Sequence, residues 1–240
     1  MKTEPLYWLD SYMKEVDARV VEVADDGFAT DKTVFYPGGG GQPYDTGYAV
    51  FEGDRARIVK AFRRDDLVFH AMETNLSVDV GDMVKLVIDW DRRYRIMRLH
   101  TSLHIISAVM YDRLGVLITG SQIYEDRARM DFPAEEMNKE YAMEIVMEAN
   151  KIVGRGLDVE TFFVTPEEAM EMKDLFRVAD FSKYEKYMKG PLRVVKIGDV
   201  DLQFDGGTHV RNTGEIGEII FLKYESKGRR NRRIYISVSP

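Results

Sequence analysis

Three of the four histidines in this 240-residue chain fall into two short motifs. In the first, His100-Thr101-Ser102-Leu103-His104, the imidazoles stand at i and i+4. On a helix that spacing puts both rings on one face, about 6 Å apart, where they can share one metal ion. The same spacing also suits two half-buried histidines that only pack and hydrogen-bond. A zinc metalloprotease would carry its general-base Glu directly after the first histidine. Thr101 stands there instead, which argues against that chemistry. The second motif, Asp205-Gly206-Gly207-Thr208-His209, offers an oxygen and a nitrogen donor with paired glycines that allow a sharp turn between them. Together the motifs make a four-ligand set, or a three-ligand site with an open position. The chain has no cysteine, so thiolate ligands, a cysteine nucleophile and disulfides are ruled out. An all-nitrogen and oxygen set holds one zinc ion per chain but prefers it less strongly over other divalent ions. His70, within Val68-Phe69-His70-Ala71, reads as an ordinary strand residue.

A third segment runs from Thr33 to Gly47 and contains four consecutive glycines, Gly38 to Gly41. Such a run costs backbone entropy, so the bare main chain should be needed there. It is not a phosphate-binding P-loop, because no Lys-Ser/Thr follows. Gly39, Gly40 and Gly41 therefore read as backbone that a substrate can approach closely, with Thr33 and Gln42 offering hydrogen bonds. The net charge is −7, but the charge is uneven. Lys223, Lys227, Arg229, Arg230, Arg232 and Arg233 cluster near the C-terminus, and Arg92, Arg93, Arg95 and Arg98 precede the first histidine motif. Arg92, Arg93, Lys227, Arg229, Arg230 and Arg232 read either as solvated surface or as a phosphate-facing patch on an otherwise acidic protein.

These residues need a frame. Up to about residue 90 the sequence is a series of short β-rich runs, Ala18–Ala24, Tyr48–Phe51, Ala56–Phe62, Leu67–Ala71 and Met83–Asp89, separated by Gly/Asp turns. That pattern predicts a small β-barrel over residues 1–90. From Arg92 to Leu114 apolar residues recur at steps of three and four, predicting a long helix with Asp89 or Asp91 as N-cap and Gly115 as stop. A second helix is expected from Ala134 to about Val153, then a strand Asp158–Val164 and a capped helix start at Thr165-Pro166-Glu167-Glu168. Residues 91–240 thus read as an α+β domain with an antiparallel sheet. No apolar run is long enough to span a membrane, and no secretory signal pattern opens the chain, so a cytoplasmic protein is expected.

Taken in order, the Thr33–Gly47 segment, the His100–His104 helix and the turn Gly206-Gly207-Thr208-His209-Val210-Arg211-Asn212-Thr213-Gly214-Glu215-Ile216-Gly217 resemble the free-standing alanyl-tRNA editing proteins. These share their editing domain with alanyl- and threonyl-tRNA synthetases, and the resemblance covers nearly the whole chain. It implies a synthetase-type barrel joined to a two-layer α+β editing domain. It also implies hydrolysis, at a zinc site, of the ester on mischarged tRNA(Ala), mainly seryl and secondarily glycyl. His100, His104, Asp205 and His209 would hold the metal, Thr33 and Gln42 would read the seryl hydroxyl, and Thr208 would touch substrate. The length leaves no room for an aminoacylation domain, which implies action in trans. One position departs from the family pattern. A cysteine commonly stands four residues before the motif histidine, and here it is Asp205. Asp205 either coordinates through oxygen, supports the three histidines from behind, or marks weak metal binding. The competing readings are seryl-tRNA(Thr) editing and a non-enzymatic RNA-binding module. The sequence does not fix the oligomeric state.

Overall fold

The computed structural model describes residues 2–74, 77–172, 190–228 and 230–240, and the chain divides into two compact units, Met1–Ile96 and Met97–Pro240. The first unit opens with a two-residue strand β1 (Glu4–Pro5) and a short helix α1 (Leu6–Leu9). Strands β2 (Glu15–Ala24), β3 (Gly27–Thr30), β4 (Lys32–Thr33), β5 (Gly47–Phe51), β6 (Asp54–Arg64), β7 (Leu67–Met72) and β8 (Met83–Ile88) follow. β1 pairs in parallel with β4, and the others close a barrel in the order β2-β3-β7-β6-β5-β8. Alternation drives the closure. Along β8, Val84, Leu86 and Ile88 point inward while the residues between them face out, and Ala18, Val20, Phe28, Ala49 and Ile58 complete the interior. The expected barrel is therefore present, and it includes a strand, β3, that sequence patterning does not display beyond the Asp25-Asp26-Gly27 turn at its start.

His70 belongs to the barrel interior. Its Nδ1 lies 3.2 Å from the Phe28 carbonyl and its Nε2 lies 2.9 Å from Thr33 Oγ1. A carbonyl can only accept, so Nδ1 carries the proton and Nε2 accepts from the Thr33 hydroxyl. Burial pushes the pKa of His70 down to about 4, against the opposing pull of the Phe28 carbonyl. The folded value lies below the ordinary one, so the unfolded chain takes up this proton first. The stabilisation is present above pH 6.5 and is lost as pH falls toward 4. Between pH 7 and pH 5 the loss is about 2 kcal/mol. In an NMR titration the His70 ring should stay neutral to pH 5, and a ring titrating near its ordinary value would contradict this account.

The second unit holds most of α2 (Trp90–Leu114), then β9 (Gly120–Ile123), β10 (Ala128–Phe132), α3 (Lys139–Val153), β11 (Val159–Val164), α4 (Pro166–Glu171), β12 (Leu192–Ile197), β13 (Asp201–Phe204), a 3-10 turn Thr213–Ile216, β14 (Ile219–Lys227) and β15 (Asn231–Val238). One antiparallel sheet has the order β14-β15-β10-β9 and a second the order β11-β12-β13. The α+β class is as expected. α3 packs on β14 through Ala142, Ile145, Val146, Ala149 and Val153, an i, i+3, i+4 stripe. It starts five residues later than the apolar pattern suggests, because the Asn138 side chain accepts from the Tyr141 N–H and fixes the N-terminus there. α4 carries the predicted capping box, Thr165 with Glu168. Of the two N-cap candidates of α2, Asp89 stands directly before Trp90, its carbonyl accepting from the Arg93 N–H at 2.9 Å and its carboxylate accepting from Arg57 and Thr46 of the barrel, while Asp91 lies inside the first turn. Among the described residues no helix is long and apolar enough to cross a membrane.

Candidate metal centre

The long helix α2 presents His100 and His104 one turn apart, with ring centres 5.2 Å apart. The turn after β13 brings His209 to both of them, at 4.3 Å from His100 and 4.8 Å from His104. Asp205 completes the cluster: its Oδ2 lies 3.5 Å from His100 Nε2 and 3.7 Å from His104 Nε2, and its Oδ1 lies 3.2 Å from His209 Nε2. All four ligand atoms fall within 4.8 Å of one another. A tetrahedral ion with bonds of about 2.0–2.2 Å sets its donors roughly 3.3 Å apart, so the donors need close in only slightly around an ion.

The neighbours set which nitrogen faces the centre. His104 Nδ1 lies 2.7 Å from Asp201 Oδ2. Donating its proton to that carboxylate leaves the Nε2 lone pair inward. The Thr101 hydroxyl donates to the Met97 carbonyl at 3.0 Å, so its oxygen accepts from His209 Nδ1 at 3.1 Å and again leaves Nε2 inward. A carboxylate or hydroxyl behind the ring is the usual partner of a metal-binding histidine.

Electrostatics at the cluster favour positive charge. Burial alone would lower the pKa of His104, but the carboxylates of Asp201 and Asp205 outweigh it and raise the value to about 10. Burial also opposes the charge on Asp205, yet the imidazoles of His100, His104 and His209 hold its carboxyl well below the usual carboxylate range. Burial and the charge at His100 push His209 well below its ordinary value. The donor set, the fixed tautomers and the two carboxylates all suit a divalent cation.

The turn is held rigidly. Arg193 of β12, itself buried, donates through Nη1 to the carbonyls of Asp205 and Gly207, each at 2.9 Å. The Gly207 N–H donates to Asp205 Oδ1 at 2.6 Å. Downstream, Asn212 and Glu215 form a capping box, and Thr213 bonds to Val153 and Leu157. The Asn-Thr-Gly-Glu half of the motif is therefore an anchor. Arg193, Asp201 and the supporting role of Thr101 went unread in the sequence. Asp201 lies 97 positions from His104, and a strand-end aspartate carries no local signal. Asp201→Asn, which keeps shape but loses charge, is expected to weaken zinc affinity about 10–100-fold. A competition titration with a chromophoric chelator checks this, and an unchanged affinity would remove Asp201 from the site.

The remaining expected residues lie as follows. In the first unit all four glycines from Gly38 to Gly41 adopt positive φ, which explains the run. Gly39 and Gln42 exchange backbone hydrogen bonds, and Gln42 is buried. Thr33 is fully buried, its hydroxyl donating to His70 Nε2 and accepting from the Phe35 N–H. Thr208 is buried beside His209. Arg93 has a guanidinium that is 0% exposed, bound to Asp45 and to the carbonyls of Ser11 and Val34. Arg92 donates to the Tyr44 carbonyl. Lys227 pairs with Glu225, Arg230 pairs with Glu135, and Arg232 donates to the Glu135 and Gly228 carbonyls. Arg229 lies outside the described residues.

Residues 192–235, which carry Asp205 and His209, match the family described as threonyl and alanyl tRNA synthetase second additional domain. Residues 8–92 match tRNA synthetases class II (A). The fold and site thus fall in a class of chains related to parts of those synthetases. The chain belongs to the alanyl-tRNA editing protein family. It is 42% identical to the alanyl-tRNA editing protein AlaX-M of Saccharolobus solfataricus, over 99% of this chain and all of that protein. It is 41% identical to AlaX-M of Methanosarcina barkeri over 98% of this chain and 99% of that one. The alanine–tRNA ligase of Thermococcus kodakarensis is 38% identical over 93% of this chain, which corresponds to 24% of the ligase.

Proposed function

We propose that this chain hydrolyses the ester joining a wrongly attached amino acid, serine first and glycine second, to tRNA(Ala), acting in trans on the released product. The observation that carries the reading is the meeting of His100, His104, Asp205 and His209 around one point, in a chain of the editing family. Water adds to the ester carbonyl, and the products are the free amino acid and a tRNA with its terminal ribose hydroxyl restored. The four side chains would hold a divalent ion, Zn²⁺ in this reading, which supplies Lewis-acid polarisation or a water acidified toward pH 7. Thr101 and Asp201 fix the ring orientations, and Arg193 keeps the turn from yielding. The aminoacyl ester is already activated, so the chain need lower the barrier less than a peptidase does.

Discrimination should rest on the seryl hydroxyl. A pocket that hydrogen-bonds a substrate hydroxyl rejects the analogue lacking it by about 10⁴, so correctly charged alanyl-tRNA(Ala) should survive. Exposed cations would meet the RNA backbone; Lys227 and Arg230 are exposed, but each shares a carboxylate. A deacylation panel tests the reading. Seryl-tRNA(Ala) should be cleaved, alanyl-tRNA(Ala) and seryl-tRNA(Thr) spared, and a small seryl ester turned over poorly. Cleavage confined to seryl-tRNA(Thr), or equal turnover of the small ester, would refute it.

A further inference from the structure

We propose that the outward face of β6 docks the phosphate backbone of RNA, an inference that rests on the reading of a tRNA partner given above. β6 carries Arg55, Arg57, Lys60, Arg63 and Arg64 against a single acid, Asp54. Ala56, Ile58 and Ala61 fill the barrel. Arg55, Arg57, Lys60, Phe62 and Arg64 take the outward phase. A register shift between Ile58 and Lys60 makes this possible, because it inserts Val59 as an extra residue. Without that insertion Lys60, Phe62 and Arg64 would point inward. Alternate residues on a strand repeat every ~6.6 Å, so the face is a row of cations and suits a linear polyanion better than a single phosphate.

Aromatic rings hold these cations against the sheet. The Arg55 guanidinium lies 3.4 Å from the Tyr48 ring centre and that of Arg57 lies 4.8 Å away. Lys60 is 5.5 Å from Phe62, and Arg64 is 4.4 Å from Phe69. A guanidinium stacked on a ring keeps its N–H edge for phosphate oxygens and has less freedom to lose on binding. Arg57 and Arg64 are paired, with Asp89 and Asp26. Arg55 and Lys60 have no carboxylate partner among the described residues. The C-terminal cluster differs: Lys223 and Lys227 share Glu225, Arg230 takes Glu135, and Arg233 takes Asp131. Most described cations of the basic segment most conspicuous in the sequence thus already hold a carboxylate, whereas Arg55 and Lys60 on the barrel hold none. In a chain of net charge −7, such a row fits a partner whose phosphates release counterions on contact.

The test is the salt dependence of binding to a tRNA(Ala) transcript, read by fluorescence anisotropy. The parent is compared with Arg55→Gln/Lys60→Gln and with a charge-matched control, Lys139→Gln/Lys151→Gln, whose lysines are exposed on α3. Each lost phosphate contact should flatten the log–log slope by roughly 0.7–0.9. The β6 variant should therefore be flatter by about 1.5, and the control should keep the parental slope. Equal slopes for parent and β6 variant, equal flattening in both variants, or no RNA binding by the parent would overturn the proposal. Serine release with an unchanged slope would remove only the β6 surface. Binding of unrelated duplex RNA through β6 without any serine release would keep the surface and overturn the proposed function.

Discussion

His209→Ala should lower serine release from seryl-tRNA(Ala) by more than about 100-fold, beyond the loss typical of residues that merely support a metal ligand. The ring is buried, touches both other histidines and Asp205, and has its tautomer set by Thr101. Removing it takes away one of four converging donors and leaves Asp205 facing two imidazoles. The fold should survive, because Arg193 and the Asn212–Glu215 cap hold the turn without it. Thermal melting of the variant separates chemistry from folding: a near-parental melting temperature with lost activity and lost zinc is the expected pattern. Parental rates in a folded His209→Ala protein would disprove the proposed centre.

Arg93→Met should be the most destabilising single change in the barrel unit, costing about 3–5 kcal/mol. The guanidinium is fully buried and binds Asp45, whose carboxylate also accepts from the Tyr36 N–H at 2.6 Å. Methionine fills much of the volume but leaves Asp45 charged with its main partner gone, and strands the carbonyls of Ser11 and Val34. Breaking one side of a buried pair is costly for that reason. At roughly 2–4 °C per kcal/mol for a chain of this size, the melting temperature should fall by about 10 °C or more. A shift of only a degree or two would mean the pair is not buried as described. Arg93→Met with Asp45→Leu should recover part of the loss, because no charge is then left unpaired.

The alternating strands and the three-four periodicity of α2 were legible because each depends on local spacing alone. The two histidine motifs could be read for the same reason: i, i+4 on a helix and a Gly-Gly turn are short-range facts. What escaped was contact at long range. Arg92 and Arg93 look alike in sequence, yet Arg93 is committed to Asp45, 48 positions away. Asp201 gives no sign of meeting His104 before the sheet closes. The row on β6 was hidden by one inserted residue, which breaks the simple alternation that would have displayed it. β3 is hard to see because its first residue, Gly27, closes the Asp25-Asp26-Gly27 turn and only three residues follow before the strand ends. α3 begins late because one cap, Asn138, outweighs the four apolar and acidic residues before it.

The central claim is that one cation held by His100, His104, Asp205 and His209 supports hydrolysis of the aminoacyl ester. Its most direct test is the rate of serine release from seryl-tRNA(Ala) by protein stripped with a chelator and then titrated with zinc. Activity should vanish on stripping and return at one ion per chain, and the His209→Ala protein should not recover. Undiminished turnover by protein shown to be metal-free would contradict the account.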